Sequence, residues 1–116
     1  MVSINIISNK KTQYLELNVK GHAGLAEAGQ DILCSAVSIL TYTVAQSISN
    51  MREDKFTECP LISLENGDAK ISCRCKSKSF DETEKAFKFA RTGYTLLTHN
   101  YPQYVELKVN GEAVRL

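Results

Sequence analysis

Apolar and polar positions alternate over residues 13–20 (QYLELNVK), and residues 2–8 (VSINIIS) are rich in Ile and Val. Patterning of period two predicts a pair of strands, and the polar Asn9-Lys10-Lys11 between them suits a hairpin turn. Glycines and small residues then fill 21–30, which takes the chain out of the sheet into a loop. From Asp31 the period changes. Leu33, Val37, Leu40, Val44 and Ile48 recur at helical spacing, with Ala36 and Thr41 on the same side, so a helix is expected over 31–51.

The second half repeats this grammar. Residues 59–65 and 69–76 flank Asn66-Gly67, a pair that accepts positive φ at both positions of a tight hairpin turn. In the second of these strands Ile71, Cys73 and Cys75 share one face, and Lys70, Ser72, Arg74 and Lys76 share the other. Ser79-Phe80-Asp81-Glu82 fits a capping box that opens a second helix. Its inner face carries Ala86, Phe87, Ala90, Tyr94 and Leu97, and it is expected to stop before Tyr101-Pro102. VELKV at 105–109 reads as a last strand, with Asn110-Gly111 as the turn after it. The order ββαββαβ implies an α+β fold, a two-layer sandwich of a mainly antiparallel sheet with two helices on one face. No repeat or linker divides it, so residues 1–116 form a single domain.

Composition narrows the function classes. With 14 Lys plus Arg against 13 Asp plus Glu, the net charge is +1, which argues against direct nucleic-acid binding despite the basic stretches at 9–11 and 76–80. The N-terminal residues lack the basic start and apolar run of a signal peptide. No apolar segment reaches the roughly 18 residues of a membrane span, so no membrane association is expected. A cytoplasmic location follows as the expectation, and there Cys34, Cys59, Cys73 and Cys75 are free thiols rather than a disulfide framework.

The candidate chemistry lies in GHAGLAEAGQDILCSAVSIL, residues 21–40. A cysteine attacks as its thiolate. If Asp31 is the N-cap, Cys34 lies in the first helical turn, where unpaired N–H groups and the helix dipole favour an anion. A folded-back His22 would supply an imidazolium partner, and Gly21, Gly24 and Gly29 give the loop that freedom. The same N–H groups are candidates for stabilising an oxyanion. Asp31 has two readings: an N-cap that accepts from the Cys34 N–H, or a group that orients His22. Cys34 also has two, because unpaired cysteines are commonly buried, inert hydrophobes.

Gly21-His22-Ala23-Gly24, followed by Gly29 and by Asp31-Ile32-Leu33-Cys34-Ser35-Ala36-Val37-Ser38, resembles the signature of the ribosomal-processing cysteine protease family, Prp. Leu33 and Ser35 stand where that signature suggests Val and Ala, and neither bears on the chemistry. Element order extends the resemblance over essentially the whole chain. The resemblance implies a homodimeric cysteine endopeptidase without cofactor. Its substrate would be the precursor of the twenty-seventh large-subunit ribosomal protein of bacteria, cut after two phenylalanines and before an alanine. Carried onto this chain, Cys34 is the nucleophile and His22 the general base. Residues 21–30 are a mobile cover hinged at Gly21, and Ser38 falls in the motif without an assigned role.

Three other features invite a different reading. Cys73 and Cys75, with Cys59 and His99, raise a metal site, but C-x-C on a strand without a second pair does not match zinc spacing, so no metal is expected. His99 has a sufficient role at a helix C-terminus. A redox-sensing Cys34 lacks a local resolving partner. The remaining alternative is a non-catalytic ribosome-associated binding module that uses the 21–30 loop. Cys34→Ala separates it from a protease, since a binding module keeps its function.

Overall fold

The computed structural model describes residues 1–24, 31–53, 57–76 and 78–114. In chain order the elements are β1 (Val2–Asn9), β2 (Tyr14–Lys20), α1 (Ile32–Glu53), β3 (Thr57–Glu65), β4 (Asp68–Cys75), α2 (Phe80–Asn100), β5 (Val105–Val109) and β6 (Glu112–Ala113). The strands form one sheet in the order β3-β4-β2-β1-β5-β6. All neighbours are antiparallel except β1 and β5, which the crossover through α2 makes parallel. This is the expected α+β sandwich with one strand more. β6 is two residues long and follows the Asn110-Gly111 turn, where φ is +51° and +83°. A two-residue strand carries too little alternation to be seen in sequence.

Register explains the core. Ile4 pairs with Val19, Ile6 with Leu17, and Leu17 with Ile71, so the alternating apolar residues of β1, β2 and β4 fall on one face and are buried. Leu33, Val37, Thr41, Val44 and Ile48 of α1 cover that face, together with Phe80, Thr83, Phe87, Ala90 and Tyr94 of α2. The helices approach closely at Gly93, where a Cβ would stand 2.7 Å from the methyl carbons of Leu40. Beside it the Tyr94 hydroxyl and Thr41 Oγ1 lie 2.7 Å apart, and Thr41 donates onward to the Val37 carbonyl. Burial raises the Tyr94 pKa to about 12, partly offset by Thr41.

Two expectations are corrected. The capping box does not form: Ser79 makes no side-chain cap, and its hydroxyl instead donates to the Lys76 carbonyl at 2.9 Å. Glu82 is drawn to Lys85 at 3.2 Å. The chain also does contain a segment long and apolar enough to cross a membrane, Ile32–Arg52. Its polar residues interrupt the sequence run, but they are few enough to leave the average apolar, and the apolar stripe lies on the sheet.

Among the described residues no helix packs on the other sheet face. There Tyr14 donates to Glu16 Oε1 at 2.6 Å, and Asn18 donates to Oε2 at 2.7 Å. Burial opposes the Glu16 carboxylate, but these bonds and Lys70 outweigh it and hold its pKa below the ordinary value.

Candidate active site

The strand ends bring the site together. The β2–β4 ladder closes at Lys20 and Asp68, so the next residues face each other, and the Gly21 N–H donates to the Gly67 carbonyl at 2.9 Å. Gly21 has φ +95°, and a Cβ there would lie 2.3 Å from the Met1 carbonyl oxygen. No side chain fits at that position. The turn it makes lays the His22 ring over Gly67, where a Cβ would stand 2.6 Å from Nε2.

Asp31 starts α1. Its carboxylate accepts from the Cys34 N–H at 2.9 Å, and its carbonyl accepts from the Ser35 N–H at 3.1 Å, the geometry of an N-cap. Asp31 is buried at 5% exposure. Because its carboxylate takes the Cys34 N–H, that donor is committed to the cap, and it does not stand open for an oxyanion as the sequence alone suggested. No acidic residue follows in the first turn of α1, so the positive helix end faces the half-buried Cys34 without a second carboxylate on the helix.

From the loop side, the Ala23 N–H points at Cys34 Sγ, 3.5 Å away. Ala23 is itself buried at 3%, which pins the residue after His22 against the helix start. His22 and Cys34 therefore line one small pocket of about 90 Å³. Val2, Val19, Val37 and Ala69 give it an apolar floor, and Ser38 and Tyr42 continue along α1. Ser38 is half-buried in this wall. Gly24 has φ +72°, and among the described residues nothing stands within 4 Å of a Cβ there; Gly29 lies outside the described residues.

Sequence reasoning missed Gly67 and the Ala23 N–H. Asn66-Gly67 was legible as a turn, but its place beneath His22 depends on the β2–β4 register, which pairs residues some fifty positions apart.

Cys73, Cys75 and His99 lie elsewhere, and the Cys59 side chain is outside the described residues. Cys73 and Cys75 are buried in β4 at 1% and 4% exposure. A hydrogen bond to Cys75, then burial, push the Cys73 thiol well above its ordinary pKa. His99 lines a separate hollow with Met1, Pro102 and Val105. Among the described residues no group of three or more His, Cys, Asp or Glu could hold a metal ion.

Residues 1–106 match the family model described as cysteine protease Prp. No curated protein matches the chain. Among solved structures, the essential ribosomal processing protease Prp from S. aureus, in complex with a covalently linked product peptide, superposes with a TM-score of 0.72 at 19% identity. The match covers 95% of this chain and 100% of that one. The same enzyme with a substrate peptide gives 0.68 at 18% identity, over 95% and 100% of the two chains. SMU.848 from Streptococcus mutans gives 0.66 at 24% identity, over 94% and 93%. At these identities the structures establish a shared fold.

Proposed function

The chain belongs to the Prp family of cysteine proteases, and from that premise we propose that it is the endopeptidase that trims the precursor of the twenty-seventh large-subunit ribosomal protein. It cuts after Phe-Phe and before Ala, with Cys34 as nucleophile and His22 as general base. The observation that carries this reading is the pocket shared by His22 and Cys34, with the sulfur at the start of α1 and the Ala23 N–H directed at it.

The chemistry follows from those positions. The Cys34 thiolate attacks the scissile carbonyl, and the carbon–nitrogen bond breaks as the His22 imidazolium gives its proton to the leaving amine. His22, now neutral, takes a proton from water, and the resulting hydroxide attacks the thioester. The acid product leaves, and the Cys34 thiolate and His22 imidazolium are restored. Asp31 acts as a positioning residue by holding the backbone of Cys34 at the helix start.

We also assign a homodimer and a cytoplasmic location. Exposed Phe89 and Leu96 on α2 and Ile39 on α1 are the apolar area that a second copy would cover. Cys34, Cys73 and Cys75 are free thiols, as a reducing compartment requires.

The test is cleavage of a precursor peptide carrying Phe-Phe before Ala, read by mass spectrometry, with His22→Ala and Cys34→Ala in parallel. A cut after the second Phe that both folded variants lose supports the dyad and the substrate together. If Cys34→Ala still cuts, the reading fails, and the loop is better taken as a binding element.

A further inference from the structure

β3 is one edge of the sheet, and the two-residue β6 is the other. Edge strands are normally guarded by charge, proline or a bulge, because their unpaired N–H and C=O groups invite another strand. In β3 the guards sit at one end: Pro60 and a register shift between Glu58 and Leu61. The stretch from Leu61 to Leu64 has none, and Leu61, Ile62 and Leu64 are 66%, 39% and 41% exposed.

The register decides which groups are open. Glu65 pairs with Asp68 across a two-residue turn, so Glu65, Ser63 and Leu61 direct their main-chain groups at β4. Ile62 and Leu64 then direct theirs away from the sheet. Their side chains lie on the helix side, opposite buried Ile71 and Ala69, yet α1 leaves them exposed.

Two separate hollows, one toward each end of β3, mark the line of a trough between α1 and β3. Ser38 and Tyr42 wall it at the Cys34 pocket, where residues 65–69 form the facing side. Ser49 and Arg52, on the same helical stripe, wall a second hollow against Pro60 and Ile62. From Cys34 to Arg52 the helix rises about 27 Å, enough for about eight residues of extended chain.

We propose that this trough holds the acyl side of the substrate, the residues before the scissile bond, as an added strand along β3. This deepens the proposed function and rests on it. A peptide whose scissile carbonyl reaches Cys34 and whose preceding residues fill the trough runs parallel to β3, since β3 also runs toward the pocket. Main-chain pairing with Ile62 and Leu64 supplies affinity, and the apolar floor of Ile62, Leu64 and Tyr42 accommodates the two aromatic residues before the cut.

The test uses the full-length protein and the precursor peptide. N-methylation of the peptide backbone, one residue at a time, is expected to lower kcat/KM about tenfold or more at alternate residues before the cut and little at those between. Ile62→Lys with Leu64→Lys, both at exposed positions, is expected to raise KM for the full peptide by about tenfold or more. The rate of Cys34 alkylation by iodoacetamide should be unchanged. Uniform tolerance of N-methylation, or unaltered KM in the double variant, overturns the added strand while wild-type cleavage leaves the protease reading intact. A double variant that changes the oligomeric state shows that a second copy occupies β3, and this also overturns it. If the wild-type protein cuts nothing, both readings fall.

Discussion

Cys34 and the Cys73–Cys75 pair place the same side chain in opposite surroundings. Cys73 and Cys75 lie at i and i+2 on the inner face of β4, and a mutual hydrogen bond and burial hold Cys73 as a thiol. Cys34 is half-buried at the start of a helix, with a backbone N–H aimed at its sulfur and a histidine lining the same pocket. The difference teaches that access and local dipoles, rather than residue type, separate a nucleophile from a core thiol.

Removing the nucleophile tests this contrast with the largest effect. Cys34→Ala is expected to lower turnover by at least about 10³-fold with the fold intact. Cys73→Ala should keep turnover and instead lose about 1 kcal/mol of stability by denaturant titration, the cost of a small cavity. In the native wild-type protein, iodoacetamide followed by peptide mapping should mark Cys34 well before Cys73 and Cys75. Equal labelling of all three breaks the comparison.

Gly67→Ala comes next. A Cβ there would collide with the His22 ring, and φ is +73°, so the ring must move. A misplaced base is expected to cost about 10- to 100-fold in kcat. A changed pH–rate profile, with a drop in Tm too small to unfold the protein, would mark positioning. An unaltered profile with lost stability would reduce Gly67 to a turn residue.

Away from the site, effects shrink. Tyr94→Phe removes the hydroxyl that joins the helices at Thr41 and is expected to cost about 1 kcal/mol without changing KM. On the open face, the Glu16 pKa is lower in the folded protein than in the unfolded chain. The unfolded state therefore takes up the proton first as pH falls. The contribution of Glu16 is present above the ordinary carboxylate pKa and is lost as pH drops through the folded value. Glu16→Gln should flatten that part of the stability–pH curve, measured by urea titration at stepped pH.

Local rules carried much of the fold. Ile and Val content located β1, alternation located β2, β4 and β5, and the 3.6-residue period located both helices to within a few residues, because burial of one face acts on neighbouring positions. The capping box at Ser79 failed because the hydroxyl turns back to donate to the Lys76 carbonyl and makes no side-chain bond to the helix start. The GHAG and DILCSAVS segments marked His22 and Cys34 before any geometry was known, and Asp31 was left with two roles.

Tertiary structure decided what no local pattern encodes. The pairing of β2 with β4 sets Gly67 under His22, and the burial of Ala23 against α1 directs its N–H at Cys34. The same assembly commits the Cys34 N–H to Asp31 and leaves β3 exposed beside α1. The physical reason is distance along the chain. Periodicity and capping are short-range and can be read residue by residue, whereas the site and its trough form where strands and a helix far apart in sequence meet.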